Sequence, residues 1–128
     1  MSIKHVLDAS AVLAVLNNET GANQVIPLLP EAVISSVNLA EVGSKLIENG
    51  MDKNTAEIAV SIIGIGKVIE FDEDLAWEAA DLRPLTKHLG LSLGDRACLA
   101  LSSQLKVPAI TADREWARIT FCRIILIR

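Results

Sequence analysis

The sequence contains no tyrosine, and aromatic residues make up only 3% of its 128 residues, so a hydrophobic core must be built from aliphatic side chains. Its two cysteines, Cys98 and Cys122, show neither a metal-binding spacing nor a disulfide framework. No apolar run approaches the ~18 residues that a membrane span needs. The residues before Asp8 carry no signal-peptide core. We therefore expect a soluble protein in the reducing environment of the cytoplasm.

The charge balance is slightly acidic. The sequence has 16 aspartates and glutamates against 12 lysines and arginines, which gives a formal net charge of -4. This balance argues against a broad basic surface for nucleic acid. It does not exclude a nucleic-acid enzyme whose acidic site is offset by divalent cations, or a protein that docks on a basic partner. The absence of a G-x-x-x-x-G-K motif disfavours a nucleotide hydrolase.

Short aliphatic runs alternate with segments of helical periodicity, a pattern typical of α/β proteins. The predicted strands are 3–7, 32–35, 68–71, 109–111 and 124–127. The predicted helices are 10–17, 22–29, 37–49, 52–64, 72–82 and 92–105. Unbroken apolar strands favour a parallel sheet that is covered on both faces. We find no linker or repeat, so the length suits a single domain spanning residues 1–128.

Asp8 follows the first predicted strand and precedes the first predicted helix, for which Ser10 is a suitable N-cap. A carboxylate between two apolar segments is costly to bury unless it is paired or binds a metal. In open α/β sheets, ligands bind at this end of the strands. Helix capping and ligand binding are equally good interpretations of Asp8 on this segment alone.

Three further acids occur at similar places. Glu41 lies near the start of the helix after the second strand and shares a face with Asn38. Asp95 lies in the first turn of an otherwise apolar helix, and Asp113 directly follows the fourth strand. Taken singly, each is explained at least as well by helix capping or a solvated face.

Taken together, the four acids are predicted to lie at one edge of a parallel sheet. Unit charges about 4 Å apart repel by about 4 kcal/mol at an effective dielectric of about 20, so such a cluster needs cations. Oxygen ligands without histidine or cysteine favour Mg²⁺ or Mn²⁺. Carboxylate-held Mg²⁺ serves phosphoryl transfer, where it activates water and stabilises the leaving oxygen.

Four segments resemble the PIN domain family, and specifically its VapC-type toxin ribonucleases. These are VLDASA at 6–11, SSVNLAEV at 35–42, GLSLGDRACLAL at 90–101 and TADREW at 111–116. Their order and spacing match across residues 3–127. The resemblance implies a three-layer α/β/α sandwich on a mainly parallel sheet. It also implies Mg²⁺- or Mn²⁺-dependent endonucleolytic cleavage of RNA.

The resemblance further implies roles for individual residues. The four acids would be the catalytic and metal-binding set. Asp8 and Asp95 would be the most direct ligands, with Glu41 and Asp113 binding a second ion or acting through water. The residues implied to orient ligands or phosphate are Ser10, Asn38 and Thr111. Family toxins pair with an antitoxin whose C-terminal segment blocks the site, and many are homodimers.

Other functions compete with this interpretation. Phosphatases of the haloacid dehalogenase type also place an Asp after the first strand, but they need a second Asp where this sequence has Ser10. A receiver-type phosphoacceptor domain would need an acidic pair and a late lysine that are missing. The remaining alternative is a catalytically silent PIN-like module that binds RNA or protein. Four clustered acids argue against it, because such a module does not need a repulsive cluster.

Some residues near the motifs keep more than one interpretation. Arg96 could contact phosphate or an acid across the site. Lys45 and the two histidines, His5 and His88, are expected on the surface or at a strand edge. The apolar helix at 58–65 is predicted to be either core or a dimer face.

Overall fold

The computed structural model describes residues 1–128 and has a five-stranded, entirely parallel sheet in the order β3-β2-β1-β4-β5. The strands are β1 (His5–Leu7), β2 (Ala32–Ser35), β3 (Lys67–Ile69), β4 (Ala109–Thr111) and β5 (Ile124–Leu126). β1 is central, because Val6 is in register with Val33 of β2 and with Ala109 of β4. Along the chain, β2 and β3 are added on one side of β1, and β4 and β5 are then added on the other side. The topological switch point therefore lies between β1 and β4.

Seven α-helices connect or flank the strands. They are α1 (Ala9–Leu16), α2 (Ala22–Val25), α3 (Ser36–Glu48), α4 (Lys53–Ile63), α5 (Glu73–Asp81), α6 (Arg83–Thr86) and α7 (Leu93–Leu105). Three 3-10 segments cover Ile26–Glu31, Lys87–Leu89 and Arg114–Arg118. No helix is both long enough and apolar enough to cross a membrane.

Two buried apolar clusters cover the two faces of the sheet, so the fold is the predicted three-layer sandwich. Consecutive strand residues contribute to opposite clusters, as the alternation of side chains along a strand requires. Val6 packs with Leu99 of α7 and Leu75 of α5. Leu7 packs on the other side with Val12 of α1 and Val42 of α3. Both layers are built almost wholly from aliphatic side chains, as the scarcity of aromatic residues predicts.

The predicted elements are all present, but some of their ends differ. The predicted helix 22–29 is α-helical only over Ala22–Val25 and continues as the 3-10 segment Ile26–Glu31. Pro27 and Pro30 lie within this segment and cannot donate the backbone hydrogen bonds of an α-helix. The predicted N-cap of the first helix, Ser10, was wrong. Asp8 is the N-cap, and Ser10 lies in the first turn of α1.

Candidate active site

Asp8 lies at the carboxyl end of β1, beside the switch point, and is only 5% exposed. Its Oδ1 accepts hydrogen bonds from Ser10 Oγ at 2.7 Å and from the backbone N–H of Ala11 at 2.9 Å. Its Oδ2 accepts a short hydrogen bond from Thr111 Oγ1. Asp8 therefore caps α1 and also faces the site, so the two interpretations of this residue are compatible.

The Asp8 carboxylate is held in a poorly solvated position. Burial raises the pKa of Asp8 to about 6, because desolvation disfavours the charged form. The hydrogen bonds from Thr111, Ser10 and Ala11 lower this pKa, and the negative charge of Asp95 adds to the rise. A cation next to Asp8 would stabilise the ionised form, which is the form that binds metal.

Ser10 and Thr111 connect Asp8 to the end of β4. Ser10 Oγ accepts a hydrogen bond from the backbone N–H of Ala112 at 2.9 Å. Thr111 Oγ1 accepts one from the backbone N–H of Asp113 at 3.0 Å, and the two hydroxyl oxygens are 3.4 Å apart. Thr111 is fully buried behind Asp8. The two hydroxyls thus fix the Asp8 carboxylate and the backbone that leads to Asp113.

Glu41 and Asn38 are one turn apart on α3, as their spacing predicts. Asn38 is 1% exposed, and its Nδ2 donates to Glu41 Oε1 at 2.8 Å and to the backbone carbonyl of Gly94 at 3.0 Å. Asn38 therefore orients the Glu41 carboxylate and also ties α3 to the first turn of α7. Asn38 Oδ1 is buried and accepts no hydrogen bond.

Asp95 and Asp113 both lie at helix starts. Asp95 forms a capping box with Ser92: Asp95 Oδ2 accepts from the backbone N–H of Ser92 at 2.9 Å, and Ser92 Oγ accepts from the backbone N–H of Asp95 at 3.2 Å. Asp113 caps the 3-10 segment that follows β4 and accepts from the backbone N–H of Glu115 at 3.0 Å. Each carboxylate uses one oxygen in its cap, which leaves the other oxygen free for another contact.

The four acids line one pocket of about 220 Å³ at the carboxyl edge of the sheet. The full lining consists of Asp8, Ala9, Ser10, Leu13, Asn38, Glu41, Asp95 and Asp113. No lysine, arginine or histidine is among them, so the protein itself does not neutralise the four carboxylates. A larger apolar groove lies elsewhere, between α3 and α4, and contains none of these acids. The chemistry of the acid pocket, rather than its size, makes it the candidate active site.

The pocket fits a hydrated divalent ion better than a cage made only of protein ligands. No group of three or more His, Cys, Asp or Glu side chains is arranged to hold one metal ion. Mg²⁺ is often held by one or two carboxylates and keeps several of its waters. Asp8 accepts three hydrogen bonds, whereas a carboxylate has about four acceptor positions. Asn38 lines the same pocket, and its buried Oδ1 has no hydrogen-bond partner.

Several other residues weighed from the sequence lie outside the pocket. Arg96 Nη1 donates to the backbone carbonyl of Ala79 at 3.0 Å, in the last turn of α5. This hydrogen bond joins α7 to α5, and it is neither of the two contacts considered for Arg96. Lys45 is exposed and lies 3.9 Å from Glu48, as expected of a solvated face. Cys98 is a buried core residue, and burial raises the pKa of its thiol well above the ordinary value.

Three residues of the site were not predicted from the sequence: Ala9, Leu13 and Gly94. Leu13 lines the pocket because it follows Ala9 and Ser10 on one face of α1. Gly94 contacts Asn38 through its carbonyl oxygen. The signal for Gly94 was a glycine inside the predicted helix 92–105, next to Asp95, since an interior helix glycine often marks a close approach.

Comparison with known families agrees with this geometry. A model of the PIN domain family matches residues 5–121, and the chain therefore belongs to the PIN domain family. The family predicted from the four sequence segments is thus confirmed. Among curated proteins, none matches the chain.

Solved structures share the fold over nearly the whole chain. DNA-bound VapBC from Salmonella typhimurium has a TM-score of 0.76 at 19% identity, over 98% of this chain and 99% of that chain. A toxin-antitoxin complex from Klebsiella pneumoniae has a TM-score of 0.75 at 19% identity, over 98% of each chain. VapBC-5 from Mycobacterium tuberculosis has a TM-score of 0.67 at 21% identity, over 96% and 98%. At these identities the likeness shows a common fold.

Proposed function

We propose that this chain is a Mg²⁺- or Mn²⁺-dependent endoribonuclease and the toxin of a toxin-antitoxin pair. One observation carries the proposal: four carboxylates and no cationic side chain line a single pocket at the switch point of a PIN domain. Such a pocket attracts divalent cations and repels an RNA backbone unless those cations are bound. The fold shared with VapBC chains supports the toxin assignment.

The residues divide into ligands and groups that orient them. Asp8 and Asp95 are the proposed direct ligands, and Glu41 and Asp113 bind a second ion or act through water. A bound divalent ion would supply an activated water and stabilise the charge that develops on the phosphate and the leaving oxygen. Ser10 and Thr111 hold Asp8 by hydrogen bonds.

The remaining pocket residues shape the approach to the carboxylates. Asn38 fixes the Glu41 carboxylate against α7. Leu13 provides an apolar side chain in the lining, beside the acids. Asp113 and Glu41 are both exposed, so these two carboxylates are accessible to an RNA phosphate and its counter-ions.

Purified protein incubated with structured RNAs, with Mg²⁺ or with excess EDTA, tests the catalytic part of the proposal. We expect cleavage only with the metal, and loss of cleavage in Asp8→Asn. Asp52→Asn is a suitable control, because Asp52 caps α4 and lies outside the pocket. Undiminished cleavage in EDTA would exclude the proposed mechanism. Metal-independent RNA binding without cleavage would instead favour the catalytically silent module.

The proposed partner is a cognate antitoxin, and the apolar groove between α3 and α4 is its candidate docking site. The groove has a volume of about 350 Å³ and is lined by ten residues, including Leu39, Ile47, Val60 and Ile65. An amphipathic helix is the usual occupant of such a groove. Lys53 and Glu57 at its rim form a salt bridge of 3.4 Å and offer charges of both signs to the partner.

The homodimer is a separate part of the proposal. Ile58 and Ile62 lie on the face of α4 that points away from the groove and are 53% and 76% exposed. Exposed isoleucines one turn apart form an apolar stripe that a second copy of the chain would cover. Neither isoleucine lines the groove, so the antitoxin and the second copy are proposed to use separate surfaces of α4.

A further inference from the structure

Gly94 occupies the second position of α7, where glycine is a poor choice for helix stability. It is buried, and its φ lies outside the left-handed region that favours glycine. The backbone conformation therefore does not require a glycine here. The reason must lie in the space around Gly94.

That space is taken by Glu41. A Cβ atom built on Gly94 would lie 2.5 Å from Glu41 Oε1 and 2.7 Å from both Glu41 Cδ and Glu41 Oε2. The three nearest atoms all belong to the same carboxylate, and none belongs to the backbone. The Glu41 carboxylate thus occupies the place that a side chain at residue 94 would fill.

Asn38 holds the carboxylate in this position. Its Nδ2 group donates both of its hydrogens, one to Glu41 Oε1 and one to the carbonyl oxygen of Gly94. The amide therefore fixes the distance between α3 and α7 at the point where Glu41 enters the gap. Glu41 is confined by Asn38 on one side and by the bare Cα of Gly94 on the other.

We propose that Gly94 is a positioning residue for Glu41: the missing side chain at residue 94 lets the Glu41 carboxylate lie against α7, inside the acid pocket. This inference rests on the proposed function, because it concerns the part of Glu41 in binding a divalent ion. The three heavy atoms nearest to a methyl group at residue 94 all belong to the flexible end of Glu41. The fold therefore tolerates the substitution, while the carboxylate moves.

The test compares Gly94→Ala with Gly43→Ala. Gly43 is also a helical glycine, in α3, but a Cβ there would meet nothing within 4 Å. Both substitutions replace a helical glycine by a better helix former. Gly43→Ala should therefore melt at or above the wild-type temperature, whereas in Gly94→Ala the loss of the hydrogen bond between Asn38 and Glu41 offsets this gain and the protein should remain folded. In the metal-free protein, the side-chain amide resonances of Asn38 should shift in Gly94→Ala and stay in place in Gly43→Ala.

Metal binding provides the second measurement. Calorimetric titration with Mn²⁺ should show a Kd that is about 10-fold higher or more in Gly94→Ala, because losing a group that orients a metal ligand typically weakens binding by this amount. The Kd of Gly43→Ala should be unchanged. Adding Glu41→Asp to Gly94→Ala should recover part of the affinity, because the shorter side chain withdraws from the new methyl group. In the wild-type background, Glu41→Asp alone should weaken binding.

Several results would overturn the inference. These are unchanged Asn38 resonances in Gly94→Ala, an unchanged Mn²⁺ affinity, equal effects of Glu41→Asp in both backgrounds, and unfolding of Gly94→Ala. A wild-type protein that binds no Mn²⁺ would overturn the proposed function instead. The metal-free Asn38 resonances would then still decide whether Gly94 positions Glu41.

Discussion

Thr111 donates a hydrogen bond to Asp8 across the boundary between β4 and β1, although 103 positions separate the two residues in the sequence. Thr111 Oγ1 also accepts a hydrogen bond from the backbone N–H of Asp113. One hydroxyl thus connects two of the four acids at the switch point of the sheet. The arrangement depends on the direct pairing of β1 with β4, in which Leu7 is in register with Ile110.

Replacement of Thr111 by valine should lower both stability and activity. Valine has nearly the same shape as threonine, but it leaves Asp8 Oδ2 without its donor and the N–H of Asp113 without its acceptor. Unpaired buried polar groups of this kind cost about 1–3 kcal/mol. Urea unfolding measures the loss. Thr111→Ser keeps the hydroxyl and serves as the control, and an equal loss of RNA cleavage in both variants would show that the methyl group matters rather than the hydrogen bonds.

Asp95→Asn should abolish metal binding and RNA cleavage while changing stability only slightly. The asparagine side chain can still accept a hydrogen bond from the N–H of Ser92, so the capping box remains largely intact. The lost charge at the helix start costs a few tenths of a kcal/mol. Asp74→Asn removes a first-turn acid of α5 outside the pocket and should lower stability by a similar amount without affecting cleavage. Equal activities of the two variants would mean that Asp95 is only a helix-start residue.

Relief of repulsion alone predicts that metal-free Asp95→Asn melts above the wild type. In the structure, Asp95 gains from its contacts with Ser92, and Asp8 is the carboxylate that burial destabilises. Removal of the negative charge is therefore expected to stabilise the metal-free protein more at Asp8 than at Asp95.

The sequence predicted the placement of the acids better than their contacts. Strand ends and the helix starts that follow them share one edge of a parallel sheet, so the convergence of Asp8 and Asp113 follows from the element order. The direction of Arg96 does not, because it depends on how α7 packs against α5. The close approach of Gly94 to Glu41 depends likewise on the distance between α3 and α7. The periodicity of a single helix predicts neither how α7 packs against α5 nor how far α7 lies from α3.

Ile62→Asp should shift the protein from dimer to monomer. A buried charge without a partner disfavours an apolar interface strongly, and Ile62 is the most exposed of the large aliphatic residues on α4. Light scattering at tens of micromolar measures the change. Leu85→Asp is the control, because Leu85 is another exposed large aliphatic residue, at 53%, but lies on α6. A monomeric wild type would refute the dimer, and a shift caused by Leu85→Asp alone would place the interface at α6 instead of α4.

The metal-free protein should lose stability between about pH 4 and pH 6 because of Asp8. The folded-state pKa of Asp8 is about 6, above the ordinary value of 3.8. The folded state therefore binds more protons than the unfolded state in this window, and the free energy of unfolding decreases as the pH rises through it. A difference of about two units corresponds to about 3 kcal/mol. Thermal melts in EDTA at several pH values measure the effect.

Asp8→Asn removes this titration and should melt above the wild type at pH 7 but close to it at pH 4. The new amide can be accommodated, because the Thr111 hydroxyl can rotate to accept a hydrogen bond where it now donates one.

Asp52 provides the opposite case, since the backbone hydrogen bond from Thr55 lowers its pKa. Asp52→Asn should therefore melt below the wild type at neutral pH, with the difference shrinking as acid protonates Asp52. Saturating Mg²⁺ should stabilise the wild type and Asp52→Asn, but not Asp8→Asn, because binding to the folded state stabilises it by mass action. An equal response of all three proteins to Mg²⁺ would show that the ion binds away from Asp8.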